Sequence, residues 1–217
     1  MEVSIIVTNY NYGVFLERCI RSCLNQHMPG DRQYEVIVVD DASTDMSHEL
    51  LKIYEDRVRV LLLTENKGIG YTSNYGIKNA NGRFVVRVDA DDYINEYMIM
   101  TQSLFLNSRK DYFGVSVDYY TVDATGDEKT AICAANEKPI SCGIMYRKDV
   151  LIEEGLYDPD IRHLEEKELR TRLKEKYTIG NIPIPLYRYR KHMKNKTRNV
   201  DALNNVERQL KKKYGSK

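Results

Sequence analysis

"FVVRVDADD" (84–92) is a strand-like run that ends on Asp89, Asp91 and Asp92, with only Ala90 between them. An apolar run of this length, bounded by turn residues, fits a strand buried on both faces of a mainly parallel sheet. Three carboxylates in four positions repel and raise one another's pKa values unless a cation or a hydrogen-bond donor holds them. A solvated turn accommodates them, since Asp is a common turn residue. So does a ligand site at the carboxyl end of a strand. The rest of the chain separates the two.

Three more runs of the same kind precede it: "VSIIVT" (3–8), "EVIVVD" (35–40) and "VRVLLL" (58–63). Between the first two, Leu16, Cys19, Ile20, Cys23 and Leu24 follow the spacing of one helix face. Between the next two, Ser43 or Thr44 can cap a helix whose face carries Met46, Leu50, Ile53 and Tyr54. A third helical stretch covers Ile69 to Ala80. This alternation predicts an α/β fold, an open and mostly parallel sheet with helices on both faces. Ligands of such sheets gather at the carboxyl ends of the strands. Polar residues collect there four times: Thr8, Asn9, Tyr10 and Asn11 after the first strand, Asp40 to Asp45 after the second, "ENKG" (65–68) after the third, and "VDADD" after the fourth.

The second half is less regular. Ile94 to Ser108 reads as a helix, and "FGVSVDYYTVDATGDEK" (113–129) as a strand pair turning near Gly126–Asp127. Leu164 to Glu175 reads as a short helix, while Pro183 and Pro185 keep "NIPIPLYRYRKH" (181–192) extended. Nothing repeats and nothing reads as a linker, so one compact unit is expected.

Composition narrows the class. With 42% hydrophobic and 30% charged residues among 217, the chain fits neither a disordered nor a membrane-spanning class. Glu2 and a short apolar run do not make a signal peptide. Cys19, Cys23, Cys133 and Cys142 lack paired CxxC spacing, which favours free thiols over a zinc site. A cytoplasmic location is therefore expected. Charge is uneven: from Leu186 onward eleven Lys and Arg face two acids, and the first 185 residues carry a net −8. A basic tail on an acidic body suggests an anionic partner. In that tail Leu203, Val206, Leu210 and Tyr214 share one helical side with lysines around it. It reads either as a closing helix packed on the domain or as a peripheral contact with anionic membrane at its inner face.

The blocks "VSIIVTNYNYGVFLERCIRSCLNQ", "EVIVVDDASTD", "NKGIGYTSNYGIKNANGRFVVRVDADD", "GLYDPDIRHLEEKEL" and "PLYRYRKH" fall in the order seen in family 2 glycosyltransferases, which this chain resembles over about residues 3 to 192. The resemblance implies the GT-A fold, a Rossmann-like mixed sheet, and inverting transfer of a sugar from a nucleotide-sugar donor. By it, residues 1–100 form the nucleotide-sugar half, 101–192 the acceptor half of the same domain, and 193–217 the basic tail. Thr8, Asn9, Tyr10 and Asn11 would lie along the nucleotide. Asp41, with Asp40 beside it, would accept from the base N–H, which in this family usually means uracil.

Asp89, Ala90, Asp91 and Asp92 match the family's DxD motif, which holds Mn²⁺ or Mg²⁺ against the donor diphosphate. Hard oxygen ligands suit either ion. His192 matches a His that can approach the metal. Glu166 falls on the family's catalytic base, with Glu165 second. Ser73 stands where an Arg is common, so Lys67 is a candidate to rebuild that contact. The acceptor would be a glycan or lipid-linked glycan; no nucleic acid is expected. Two alternatives stay open: a sugar-nucleotide-binding protein without transfer activity, and a pyrophosphorylase-like nucleotidyltransferase. The second lacks the glycine-rich basic start such enzymes need.

Overall fold

The computed structural model describes residues 1–161, 163–193, 195 and 200–215. The four apolar runs form β1 (Val3–Asn9), β2 (Tyr34–Asp40), β3 (Arg59–Leu62) and β4 (Phe84–Asp89), all paired in parallel in the order β3-β2-β1-β4. Asn9 lies opposite Asp40, and Thr8 opposite Asp89, so the polar ends finish at one level. The chain leaves β1 for β2 on one side and returns to β4 on the other. That reversal opens a crevice between the ends of β1 and β4, where sheets of this kind take ligands.

Alternation along the strands builds two apolar layers. Val3, Ile5, Val7, Val36, Val38, Phe84, Val86 and Val88 pack on one face with α1 (Gly13–Leu24), α2 (Ser47–Tyr54) and α4 (Met98–Ser108). Ile6, Ile37, Val39 and Val85 pack on the other with α3 (Ile69–Asn79), α5 (Lys148–Glu153) and α6 (Glu165–Leu173). β1, β2 and β4 are thus covered on both faces, and that is why they read as near-continuous apolar runs. β3, at the sheet edge, leaves Arg59 and Leu62 exposed.

The second half extends the same sheet. β8 (Met145–Arg147) joins β4 antiparallel, followed by β6 (Tyr112–Val122), β9 (Thr178–Arg190) and β5 (Tyr93–Ile94), with β7 (Lys129–Cys133) hairpinned onto β6. The long β6–β9 ladder is parallel, and its register shifts around Val117, Asp118 and Tyr119 opposite the Pro183–Pro185 stretch. Proline cannot donate to a ladder, so the break falls there. The expected hairpin turns at Gly126, whose backbone N–H donates to Asp123.

Three local expectations are corrected. α2 starts at Ser47 with no side-chain cap from Ser43 or Thr44. Asp45 takes the Ser47 N–H instead, at 3.0 Å. The buried face of α2 carries Leu50, Leu51 and Tyr54, while Met46 and Ile53 are exposed. Ile94 is not helical: Tyr93 and Ile94 pair with Arg188 and Tyr187 of β9, and α4 begins only at Met98.

The four cysteines are free. No helix among the described residues is long and apolar enough to cross a membrane. The tail forms α7 (Val200–Tyr214) and meets α6 through the hydroxyl of Tyr214, which donates to Glu168 Oε1 at 2.5 Å, and through a Lys167–Glu207 ion pair. Lys213 reaches Asp158 at 2.8 Å, and Leu210 is buried. These contacts are those of the packed closing helix. Residues 194, 196–199 and 216–217 of the expected basic tail lie outside the described residues.

Candidate active site

The polar residues at the strand ends divide into loop fasteners and cleft walls. Asn9 and Asp40 are fasteners as well as neighbours. Asn9 Nδ2 donates to Asp40 Oδ2 at 2.7 Å and to Ser47 Oγ at 2.9 Å. Asp40, fully buried, also takes the Ser43 N–H at 2.8 Å and contacts His48 Nε2 at 3.0 Å. Asn11 adopts a left-handed φ of 57°, which Asn tolerates. It clips the first loop to the second by accepting the Thr44 N–H at 2.7 Å.

Asp41 receives the backbone N–H groups of Lys67 (2.7 Å) and Gly68 (2.9 Å) at the start of α3. A carboxylate is favoured at a helix N-terminus by the unpaired N–H groups and the dipole. Lys67 itself pairs with Glu65 and does not line the cleft. The expected rebuilding through Lys67 is therefore not seen. Ser73 is buried, donates to Ile69 O at 2.7 Å, and lies 3.5 Å from Arg87 Nη1. The guanidinium near position 73 thus comes from β4.

Thr8, Asn9, Tyr10, Asp41, Asp89, Asp91 and Glu165 face one cleft at the carboxyl edge, joined by Tyr12, Arg87 and Cys142. Its empty volume, open mouth included, is about 1090 Å³. Asn11, Asp40, Lys67, Ser73, Ala90, Asp92, Glu166 and His192 are not in its lining.

The three aspartates of "VDADD" have different surroundings. Asp89 Oδ1 accepts from Thr8 Oγ1 at 3.4 Å and lies 3.1 Å from Arg87 Nε. Asp91 Oδ2 sits 2.8 Å from His192 Nε2, and Asn195 Nδ2 is 3.4 Å away. Asp92 is buried and accepts from the Arg190 N–H and the Tyr187 hydroxyl, each at 2.8 Å. Burial raises the carboxyl pKa values of Asp91 and Asp92, and the neighbouring acids add to it. Tyr12 rises for the same two reasons, which keeps its hydroxyl a donor.

Asp89, Asp92 and Cys142 offer ligand atoms within 4.8 Å of one another. The donor set around Asp91 is a carboxylate with an imidazole, set beside Asp89. Acids whose ionised forms are disfavoured by burial and by one another fit a divalent cation, which offsets both costs.

The two glutamates at the start of α6 separate sharply. Glu165 lines the cleft, and its Oε1 accepts from Arg87 Nη1 at 2.8 Å. Glu166 lies outside it, held by the hydroxyls of Tyr146 and of Tyr157, the latter at 3.0 Å. The structure therefore does not bring the expected base, Glu166, to the cleft.

The model of "Glycosyl transferase family 2" matches residues 4–155. The chain belongs to that family. One family relative is a poly(ribitol-phosphate) beta-N-acetylglucosaminyltransferase, TarS, of Staphylococcus aureus. It is 28% identical over 183 residues, covering 79% of this chain and 32% of its own. A poly(ribitol-phosphate) beta-glucosyltransferase of Bacillus spizizenii is 38% identical over 104 residues, covering 46% of this chain and 16% of its own.

Among solved structures, S. aureus TarS 1-349 in complex with UDP-GlcNAc superposes with a TM-score of 0.79 at 22% identity, covering 97% of this chain and 65% of that one. The mannosyltransferase PcManGT of Pyrobaculum calidifontis, in complex with GDP-Man and Mn²⁺, gives 0.74 at 17% identity, covering 98% and 63%. The fold is the GT-A fold. The chain spans about a third of the length of the TarS relative.

Glu166 has a measurable consequence for this family member. Burial pushes its pKa up from 4.5 to about 6, against the tyrosine hydroxyls, Arg87 and Arg170, which favour the ionised form. The unfolded chain then ionises first as pH rises. Stability held below pH 4.5 is lost through about pH 6, by about 2 kcal/mol in all. Glu166→Gln removes this loss. The stability of the wild type minus that of Glu166→Gln, from urea denaturation at pH 4 and pH 7, should fall by roughly that amount on going to pH 7. An unchanged difference would show that Glu166 titrates normally.

Proposed function

We propose that this chain is an inverting glycosyltransferase that moves a sugar from a UDP-sugar to a hydroxyl of a glycan or lipid-linked glycan. The observation carrying the reading is that Asp41, Asp89, Asp91 and Glu165 share one cleft at the β1/β4 crevice. The support from relatives is that TarS has been seen with UDP-GlcNAc, and that the names of two relatives refer to poly(ribitol-phosphate).

Residues 1–100 supply the donor side in this reading and 101–192 the acceptor side. Tyr10, 37% exposed on the cleft wall, flanks the base, and Asp41 accepts from its N–H. Thr8 and Asp89 face the ribose. Mn²⁺ or Mg²⁺ held by Asp91 and His192, beside Asp89, would supply positive charge against the donor diphosphate. Asp92 serves instead to fasten the end of β9.

Glu165, rather than Glu166, is the base. Its Oε1 is held by Arg87, so the acceptor proton passes to Oε2. The acceptor oxygen then bonds to the anomeric carbon as the bond to the diphosphate oxygen breaks, and the electron pair leaves with UDP. The tail is read as a closing helix packed on α6.

A thermal-shift panel of nucleotide sugars with and without Mn²⁺ tests the reading. A UDP-sugar together with Mn²⁺ should raise the melting point most, since only ligands of the native state stabilise it. Equal melting with every nucleotide, with or without the ion, would sink it.

A further inference from the structure

Arg87 sits inside β4 with 5% of its surface exposed, in the middle of a sheet covered on both faces. A charge placed there is costly unless it is paired and hydrogen-bonded. Its pairing is shared between two elements. Nη1 donates to Glu165 Oε1 at 2.8 Å, Nε lies 3.1 Å from Asp89 Oδ1, and Nη2 donates to Ser141 O at 2.6 Å. One guanidinium therefore faces both the last residue of β4 and the first residue of α6. It is hydrogen-bonded to Glu165 and paired with Asp89 by charge alone, since Nε makes no hydrogen bond.

The first turn of α6 is fastened through Glu166 by two tyrosine hydroxyls, and Glu165 itself is held by Arg87. Leu164, which precedes the helix, adopts a left-handed φ of 59°, costly for a branched side chain, and makes no side-chain cap. Room for the guanidinium is left by Ser73, small and fully buried, 3.5 Å from Nη1. A longer side chain at 73 would meet the fork.

We infer that Arg87 is a positioning residue for transfer: it fixes Glu165 in the cleft by a hydrogen bond and ties it by charge to Asp89 on the donor side. The inference rests on Glu165 being the base. Arg87 acts through Glu165 and takes no proton. A lysine keeps the charge but is a point donor on a flexible stem, and cannot reproduce the paired bonds to Glu165 Oε1 and Ser141 O that set the guanidinium beside Asp89. Arg87→Lys removes the bridge while leaving the buried charge.

The test is a double-mutant cycle on the full chain, with turnover and donor KM measured for wild type, Arg87→Lys, Glu165→Gln and the double variant. Cooperative melting is checked for each. Arg87→Lys is expected to lower kcat about 100-fold, since a misplacement of about 1 Å costs that much, with donor KM changed less than about threefold. In the Glu165→Gln background the same substitution should cost less than about threefold, because residues acting as a unit are not additive.

An equal loss in both backgrounds, or a loss carried by donor KM, overturns the inference. Should Arg87→Lys fail to melt cooperatively, Arg87→Gln, which keeps two N–H donors without the charge, replaces it in the same cycle. If Glu165→Gln alone keeps more than about a tenth of turnover, a loss below the usual range for a base, the base assignment falls first and this inference with it.

Discussion

Glu165→Gln is expected to leave UDP binding within about twofold and to lower turnover by ~10²–10⁴-fold, the usual contribution of a positioned general base. The substitution is nearly isosteric, and the amide oxygen can still accept from Arg87 Nη1, now 2.8 Å from Oε1. What is lost is the capacity to take a proton from the acceptor. Because that proton moves only in the transfer step, the loss should appear in kcat and kcat/KM equally, which marks an interaction made in the transition state alone. Single-turnover transfer at saturating donor, paired with calorimetric UDP binding, gives both quantities. Glu166→Gln in the same assay separates the two carboxylates. A larger loss there than for Glu165→Gln would return the base to Glu166, despite the two tyrosine hydroxyls that hold it.

The fold was legible where burial is two-sided. β1, β2 and β4 read as near-continuous apolar runs because helices cover both their faces, and their polar last residues stood out against those runs. One-sided packing was harder to read. Ile53 looks like a core residue of α2 yet is 73% exposed, since a helix of eight residues buries only the turn that meets α1 and the sheet. Ile94 fits helical periodicity as well as strand pairing, and only the arrival of β9 decides between them.

At the site, residue types were legible and orientations were not. Successive helix residues point about 100° apart, so adjacent Glu165 and Glu166 cannot both face the cleft. Which one does is set by Tyr146 on β8 and Tyr157, and by Arg87 on β4. Arg87 itself was missed. A single charge within a strand pattern reads as a solvent-facing position, and its partner Glu165 lies 78 positions further along the chain. The departure at Ser73 was the available signal. It marked a missing cation near the cleft, and the neighbouring strand supplies it through Arg87, while Lys67 pairs with Glu65.

Asp91→Asn tests the metal side of the same cleft. Asp91 is buried, and its carboxyl pKa is raised first by that burial and further by Asp89, while His192 opposes the rise. An asparagine keeps the shape and an oxygen that can face His192, so the variant should fold. It brings no negative charge. A divalent ion would then meet the imidazole of His192 and one fewer carboxylate, with Asp89 already facing Arg87 at 3.1 Å. Even a supporting residue behind a metal ligand typically costs 10–100-fold in affinity, so removing a ligand charge should cost about 100-fold or more. The expected result is that Mn²⁺ strengthens UDP binding to the wild type and does nothing measurable for Asp91→Asn, with UDP affinity in chelator alike for both. Calorimetric titration of UDP into each protein, with Mn²⁺ and with chelator, reads this directly. If Mn²⁺ strengthens UDP binding equally in both proteins, the ion is held elsewhere. Asp89, Asp92 and Cys142, whose ligand atoms lie within 4.8 Å of one another, would then be the group to replace next.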